Sequence, residues 1–544
     1  MAEREQRERR GTPRQQQGPD TESDSRDWIH HSVVYGIDVL RFADSDGDGD
    51  GDLPGLIDRL DHIESLGVDC LWLLPFYPSE RRDNGYDITN QLGVDPRVGT
   101  LDDFRRLAQE AHSRGIRLML DLVLHHTSDL HAWFQAGESD PRSRFREYYI
   151  WSEEEPPDSE QQSAFPGERG AEDGIWSWSE RAQAYYRHKF YDFEPDLRIA
   201  SDAVWEEAKR IIDFWVAMGA DAFRIDAAGE LCAPTGIPGA DADLGQRLDD
   251  LRAYLQERAP GVALLGEVDL PAKQLPQYVE PDRIDQLLAF LPNNNLTYAL
   301  ATEDAEPLLR AVSTHEAVTK HAGWRQFLRN LDELNMAQLT DAQRQEVFRV
   351  FAPDPDMRIY GRGIRRAWAP MMGDPARLRM TLSLLFALPG SPLLVAGQEI
   401  GMGDDLSREG RSTVRLPMQW TADPSGFSSS RQGEAAGYLV DGPYGARAVN
   451  VADQDGDPGS LLNLTRALIR LFREHPGIAS PRTKTLKADT SVVGFRYGDV
   501  IAVHNLAGGE RPLPKKAVGA EPLLAERVEG DRLGAYGFLW ARLS

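Results

Sequence analysis

Cysteine is nearly absent. Only Cys70 and Cys232 occur in 544 residues, so no disulfide framework is implied. No apolar run reaches the length of a membrane span. Basic residues are outnumbered, 61 Lys and Arg against 87 Asp and Glu, for a net charge of −26. That balance argues against a nucleic-acid partner and against an anionic membrane surface. It suits a neutral ligand such as a sugar. No glycine-rich phosphate loop follows any predicted strand, which disfavours nucleotide binding. The stretch Met1 to Asp27 has no apolar signal-peptide core and is rich in Arg and Gln. It reads as a disordered arm, 1–27, of a cytoplasmic protein.

Beyond the arm, apolar strand patterns alternate with helical ones. The strands are predicted at Val33–Ile37, Cys70–Leu74, Arg117–Asp121, Ala222–Ile225, Val262–Glu267, Gln286–Phe290, Gln326–Asn330 and Pro392–Val395. Eight such units imply an α/β fold, a TIM (β/α)8 barrel, with an open doubly wound sheet as the competing arrangement. The stretch 127–186 is too long for a simple connection and reads as an inserted subdomain after the third strand. It holds Trp133, Phe134, Tyr148, Tyr149, Trp151, Trp176 and Trp178, which suit stacking on sugar faces or a small core of their own. The barrel is then predicted over 28–126 and 187–455. A C-terminal antiparallel β-domain follows over 456–544.

Two features carry chemistry. Alternating Asp and Gly from Asp44 to Asp52 offers hard oxygen ligands on a backbone free to curl around calcium. The twelfth position is Gly55, where an EF-hand needs a bidentate Glu, so the loop is of another kind or only an acidic turn. Acidic residues also end predicted strands: Asp121, Asp226, Glu267 and Asp332, with Asp87 and His126 on loops. Arg224 points the same way as Asp226, because side chains alternate along a strand. One such end is explained by a structural salt bridge. Several converging on one barrel mouth cost stability unless they have work to do. Two carboxyls about 5–5.5 Å apart support retaining glycoside chemistry.

These segments resemble the α-amylase superfamily of retaining α-glycosidases, and within it the trehalose synthase branch. The resemblance rests on Asp44 to Gly55, Asn84-Gly-Tyr-Asp87, His126-Thr-Ser-Asp129, Ala222-Phe-Arg-Ile-Asp226, Leu265-Gly-Glu267, Asp332-Glu-Leu334, Gly363-Ile-Arg-Arg366 and Arg415-Leu-Pro-Met-Gln-Trp420. It implies Asp226 as nucleophile, Glu267 as general acid/base and Asp332 as transition-state stabiliser. Tyr86, Asp87, His126, Arg224 and Arg415 would bind or orient the non-reducing glucose. A structural Ca2+ would sit on Asp44, Asp46, Asp48 and Asp52, with the backbone carbonyl of Asp50; no organic cofactor is implied. The activity implied is interconversion of maltose and trehalose through a covalent glucosyl-Asp intermediate. A small-oligosaccharide hydrolase and a weakened sugar-binding homologue are the alternatives. The chain departs from the family at Leu331, where the pattern has histidine, and in Glu194-Pro-Asp-Leu-Arg198, where the motif ends in Asn. A lost hydrogen bond to a sugar hydroxyl at 331 is worth about 1–3 kcal/mol, which predicts a slowed or specificity-shifted enzyme.

Overall fold

The computed structural model describes residues 25–543, other than 157–162, 167–170, 172–173, 236, 238, 319–321, 330–332, 431–441, 481–482 and 487. Eight parallel strands close into a barrel: β1 Val34–Ile37, β2 Cys70–Leu73, β3 Arg117–Leu122, β4 Ala222–Ile225, β5 Ala263–Gly266, β6 Gln286–Leu288, β7 Gly323–Phe327 and β8 Ser391–Val395. Each pairs with its sequence neighbours, and β1 closes the ring by pairing with both β2 and β8. The strands are short and apolar because both faces are covered, by the barrel interior on one side and helices on the other.

The helices follow from their patterning. In Asp202–Met218 the buried residues Val204, Ala208, Ile211, Trp215 and Met218 recur at helical spacing and face the barrel. Gly219 ends that helix at φ 112°, a left-handed conformation that lets the chain turn straight into β4. A Cβ there would stand 2.8 Å from the Ala108 side chain. Thr100 and Thr340 each start a helix with a capping box.

Three expectations need correction. Strand β7 starts at Gly323, three residues before its predicted start at 326. Its polar centre, Arg325, is fully buried, and its two Nη groups donate to the carbonyls of Ile29, Ser32 and Pro392 and to Gln286 Oε1. The arm does not extend to Asp27, since Arg26 is buried and pairs with Asp285 at 2.9 Å. Helix Leu461–Glu474, with Leu462, Leu468 and Phe472 buried, packs on Leu60–Leu66 and Pro375–Ala387 of the barrel's helical layer, so it goes with the barrel and not with the C-terminal domain. The C-terminal antiparallel sheet begins at Lys484 and runs to Arg542. It docks through Trp540, whose indole N–H donates to Ser383 at 2.8 Å, and Tyr497, whose hydroxyl donates to the Ala387 carbonyl at 2.6 Å.

Two smaller sheets rise over one end of the barrel. One joins Trp151–Ser152, Ala184–Arg187 and Trp176–Ser179 within the insertion. The other joins Leu334–Asn335, Gly363–Ile364 and Arg358–Ile359 after β7.

Candidate active site

Register brings the acidic strand ends together. Asp121 of β3 stands beside Arg224 of β4, and Ile225 stands beside Gly266, one residue before Glu267. Arg224 then joins three carboxylates. Its Nη1 donates to Asp121 Oδ1 at 2.6 Å and to Asp226 Oδ1 at 2.5 Å. Its Nη2 donates to Glu267 Oε2 at 2.5 Å. The Asp121 side chain is sealed, whereas Asp226 and Glu267 keep 11% and 21% of theirs exposed, so these two are the pair a ligand can reach. Burial pushes the Asp121 carboxyl up to about 7, against the pull of Arg224. Burial opposes the charge on Arg224, but Glu267, Tyr86, Asp121 and Asp226 hold the guanidinium protonated.

The backbone contributes as well. Ala227, directly after Asp226, lies at φ 44°, a left-handed conformation that costs a residue with a Cβ about 1–2 kcal/mol. The turn sends its N–H to Glu267 Oε2 at 3.1 Å. Strain of this kind persists where surrounding contacts over-determine it.

Above the carboxylates lies a cavity of about 280 Å³. Tyr86, His126, Arg224, Asp226 and Glu267 all line it. Tyr86 accepts from Arg224 Nη1 at 3.3 Å. His126 packs edge-on to Phe190, 5.4 Å between ring centres, and burial holds its imidazole neutral, at about 3.

Asp87 and Arg415 do not line the cavity. Asp87 is fully buried beneath it, accepting from Ser79 Oγ at 2.7 Å and from the N–H groups of Arg82 and Asp83 at 3.2 Å. Arg415 reaches Asp38 and the Asn84 carbonyl, at 3.4 and 3.3 Å. Asp83 and Arg411 do line the cavity and pair with each other. Asp332 and Leu331 lie outside the described residues.

The insertion's aromatics mostly form a core. Phe134 stacks on Trp151 at 5.4 Å and meets Tyr149 edge-on, while Trp133 packs on Tyr148. The phenyl rings that line the cavity, beside Tyr86 and His126, are Phe165, Phe190 and Phe290, together with Phe327 at the end of β7. Composition alone singles out none of them: Phe190 sits among other aromatics and Phe290 in an apolar run.

At the acidic loop, carboxylate oxygens of Asp44, Asp46 and Asp48 lie within 4.8 Å of one another. All are hard oxygen donors on a loop with Gly47 and Gly49 in left-handed turns, a set that fits a calcium-like cation. The Asp52 carboxylate faces elsewhere: it caps helix Leu53–Asp58 through Gly55 N–H at 2.6 Å and accepts from Ser45 N–H. Asp50 is not part of the side-chain cluster.

Comparison with known proteins finds the family described as alpha amylase, catalytic domain, over residues 37–480. Trehalose synthase/amylase TreS of Mycobacterium tuberculosis is 35% identical over 95% of this chain and 90% of its own length. Trehalose synthase of Pimelobacter is 32% identical over 95% of this chain and 96% of its own. Among solved structures, the alpha-glucosyl transfer enzyme XgtA is 27% identical with a TM-score of 0.77, covering 95% of this chain and 99% of its own. The trehalulose synthase MutB of Pseudomonas mesoacidophila MX-45 shares the fold at 21% identity, with a TM-score of 0.75 and coverage of 95% and 99%.

Proposed function

The chain belongs to the α-amylase family, and from that premise we propose that it transfers α-glucosyl groups between small sugars with retention, interconverting maltose and trehalose. The observation that carries the reading is the sharing of one guanidinium by Asp226 and Glu267 at the floor of a sugar-sized cavity.

Asp226 is the nucleophile in this reading. Arg224 holds its carboxylate, and Asp121 holds Arg224 from below. Asp226 attacks the anomeric carbon while Glu267 protonates the departing oxygen. The released glucose turns in place. Its anomeric hydroxyl gives its proton to Glu267 and attacks the glucosyl ester, and two inversions retain the configuration. Asp83, Arg411, Tyr86 and His126 supply the polar floor for the non-reducing glucose, and the phenyl rings supply apolar walls that limit water. Asp332 takes the stabilising role in this reading by its place in the sequence. A structural Ca2+ would be held by Asp44, Asp46 and Asp48, and no step uses it. Both cysteines are free, which supports a cytoplasmic site of action. No helix among the described residues is long and apolar enough to cross a membrane.

Incubation with maltose tests the reading. Trehalose is expected to exceed free glucose from the first minutes, and Asp226→Asn is expected to lower turnover by about 10³-fold or more. Dominant free glucose in the same interval would instead establish an α-glucosidase-type hydrolase. No turnover of any α-glucoside would leave a sugar-binding homologue.

A further inference from the structure

Two residues past Glu267, the chain places a second carboxylate on the cavity wall. Asp269 Oδ2 accepts from Asn335 Nδ2, and Oδ1 from Gln338 Nε2, both at 2.7 Å. A carboxylate has about four acceptor sites, so two amide bonds leave two free. Asn335 belongs to the small sheet after β7. Arg362 comes from the turn of the same sheet and is held by the Ala164 carbonyl at 2.7 Å. All three side chains line the cavity.

The electrostatic surroundings of this wall differ from those of the floor. Burial raises the Asp269 carboxyl to about 6; the Gln338 amide opposes this, and the charge of Glu267 adds to it. Tyr86, by contrast, feels Asp121, Arg224 and Asp226. Asp269 follows Glu267 by two residues and lines the same cavity, which sets it beside the proton-donating carboxyl, on the side where the leaving sugar departs. A carboxylate, an amide and a guanidinium together match the vicinal hydroxyls of a sugar ring better than an apolar leaving group.

We propose that Asp269 is a specificity-determining residue, binding a non-reacting hydroxyl of the acceptor sugar and so deciding whether sugar or water takes the glucosyl group. The proposal rests on the glucosyl-transfer reading above. In the step concerned, the bond between C1 and the Asp226 carboxylate breaks and a bond from C1 to the acceptor oxygen forms. The acceptor's proton passes to Glu267. Asp269 touches none of these atoms; it positions the oxygen that attacks.

α-Glucosyl fluoride separates the two stages, because fluoride leaves the acceptor side empty. Fluoride release is measured without acceptor, and then the share of glucosyl groups captured by added ¹³C-glucose as disaccharide. In Asp269→Asn and Asp269→Ala, release without acceptor is expected to stay within about twofold of the unsubstituted enzyme, while the captured share falls about tenfold. An unchanged captured share in both variants overturns the proposal. So does fluoride release that falls in step with capture, which marks a general loss of structure. If the unsubstituted protein releases no fluoride, the glucosyl-transfer reading itself has failed, a result no Asp269 variant can mimic.

Discussion

Glu194 is fully buried, and neither of its carboxylate oxygens finds a hydrogen-bond partner among the described residues. His126 Nε2 lies 3.7 Å from one of them, but burial keeps that imidazole neutral. Burial, and then the negative charge of Asp87, raises the Glu194 carboxyl well above its ordinary range. The folded protein therefore holds a proton that the unfolded chain releases once pH passes about 4.3. Below that pH both states are protonated and there is no penalty; above it the fold loses stability with rising pH. Glu194→Gln keeps the shape and removes the titration. Its melting temperature is expected to match the unsubstituted protein at pH 4 and to exceed it by about 1–3 °C at pH 8. A constant difference across that range would mean that Glu194 is ionised in the fold. The same scale shows what a sequence conceals. The segment Asp83-Asn-Gly-Tyr-Asp87 offers two aspartates, and left-handed turns at Asn84 and Gly85, φ 53° and 104°, decide which one faces the cavity. Local bonds from Ser79 Oγ and from the N–H groups of Arg82 and Asp83 hold Asp87, while Asp83 pairs with Arg411, far along the chain.

Barrel strands were legible because strands covered on both faces are written as unbroken apolar runs, as in Cys70-Leu-Trp-Leu73. Strand β7 was harder, since Gly-Trp-Arg-Gln-Phe carries its polar centre inward against carbonyls contributed by β8 and by the segment before β1. The small sheet that brings Asn335 and Arg362 to the cavity is made of two-residue strands, too short to show any period. The acidic loop is the opposite case. Its Asp and Gly alternation announces a cation, yet Asp52 looks like a ligand and is a helix cap. Without a bound ion, three carboxylates within 4.8 Å repel one another, and neighbouring charges help to raise Asp48 after burial does. Removing bound metal with a chelator is expected to lower the melting temperature by several degrees, and added Ca2+ to restore it. Asp46→Asn should weaken that dependence. A melting temperature indifferent to verified metal removal would leave the loop as an acidic turn.

Over the whole molecule, buried titratable groups set an acid limit. Burial keeps six histidines neutral: His125, His126, His315 and His504 are held down to about 3, and His131 and His188 to about 4. The unfolded chain protonates each near pH 6.5, so unfolding takes up protons below that pH and stability falls as pH falls. Several carboxyls act the other way, Asp48, Asp69, Asp87 and Asp404 among them. Asp121 at about 7, Asp269 at about 6 and Glu194 hold protons in the fold that the unfolded chain gives up. The imidazole uptakes make stability fall as pH falls through this range, and the carboxyl releases reduce that slope. The melting temperature is therefore expected to drop between pH 6.5 and 5, despite the net charge of −26, which protonation would relieve. Self-repulsion of an acidic surface predicts the reverse trend over that interval, with stability rising toward the isoelectric point near 4.9. Melting curves from pH 7.5 to 5 decide between the two. A midpoint that holds or climbs as acid is added would mean that the buried imidazoles find proton acceptors in the folded chain.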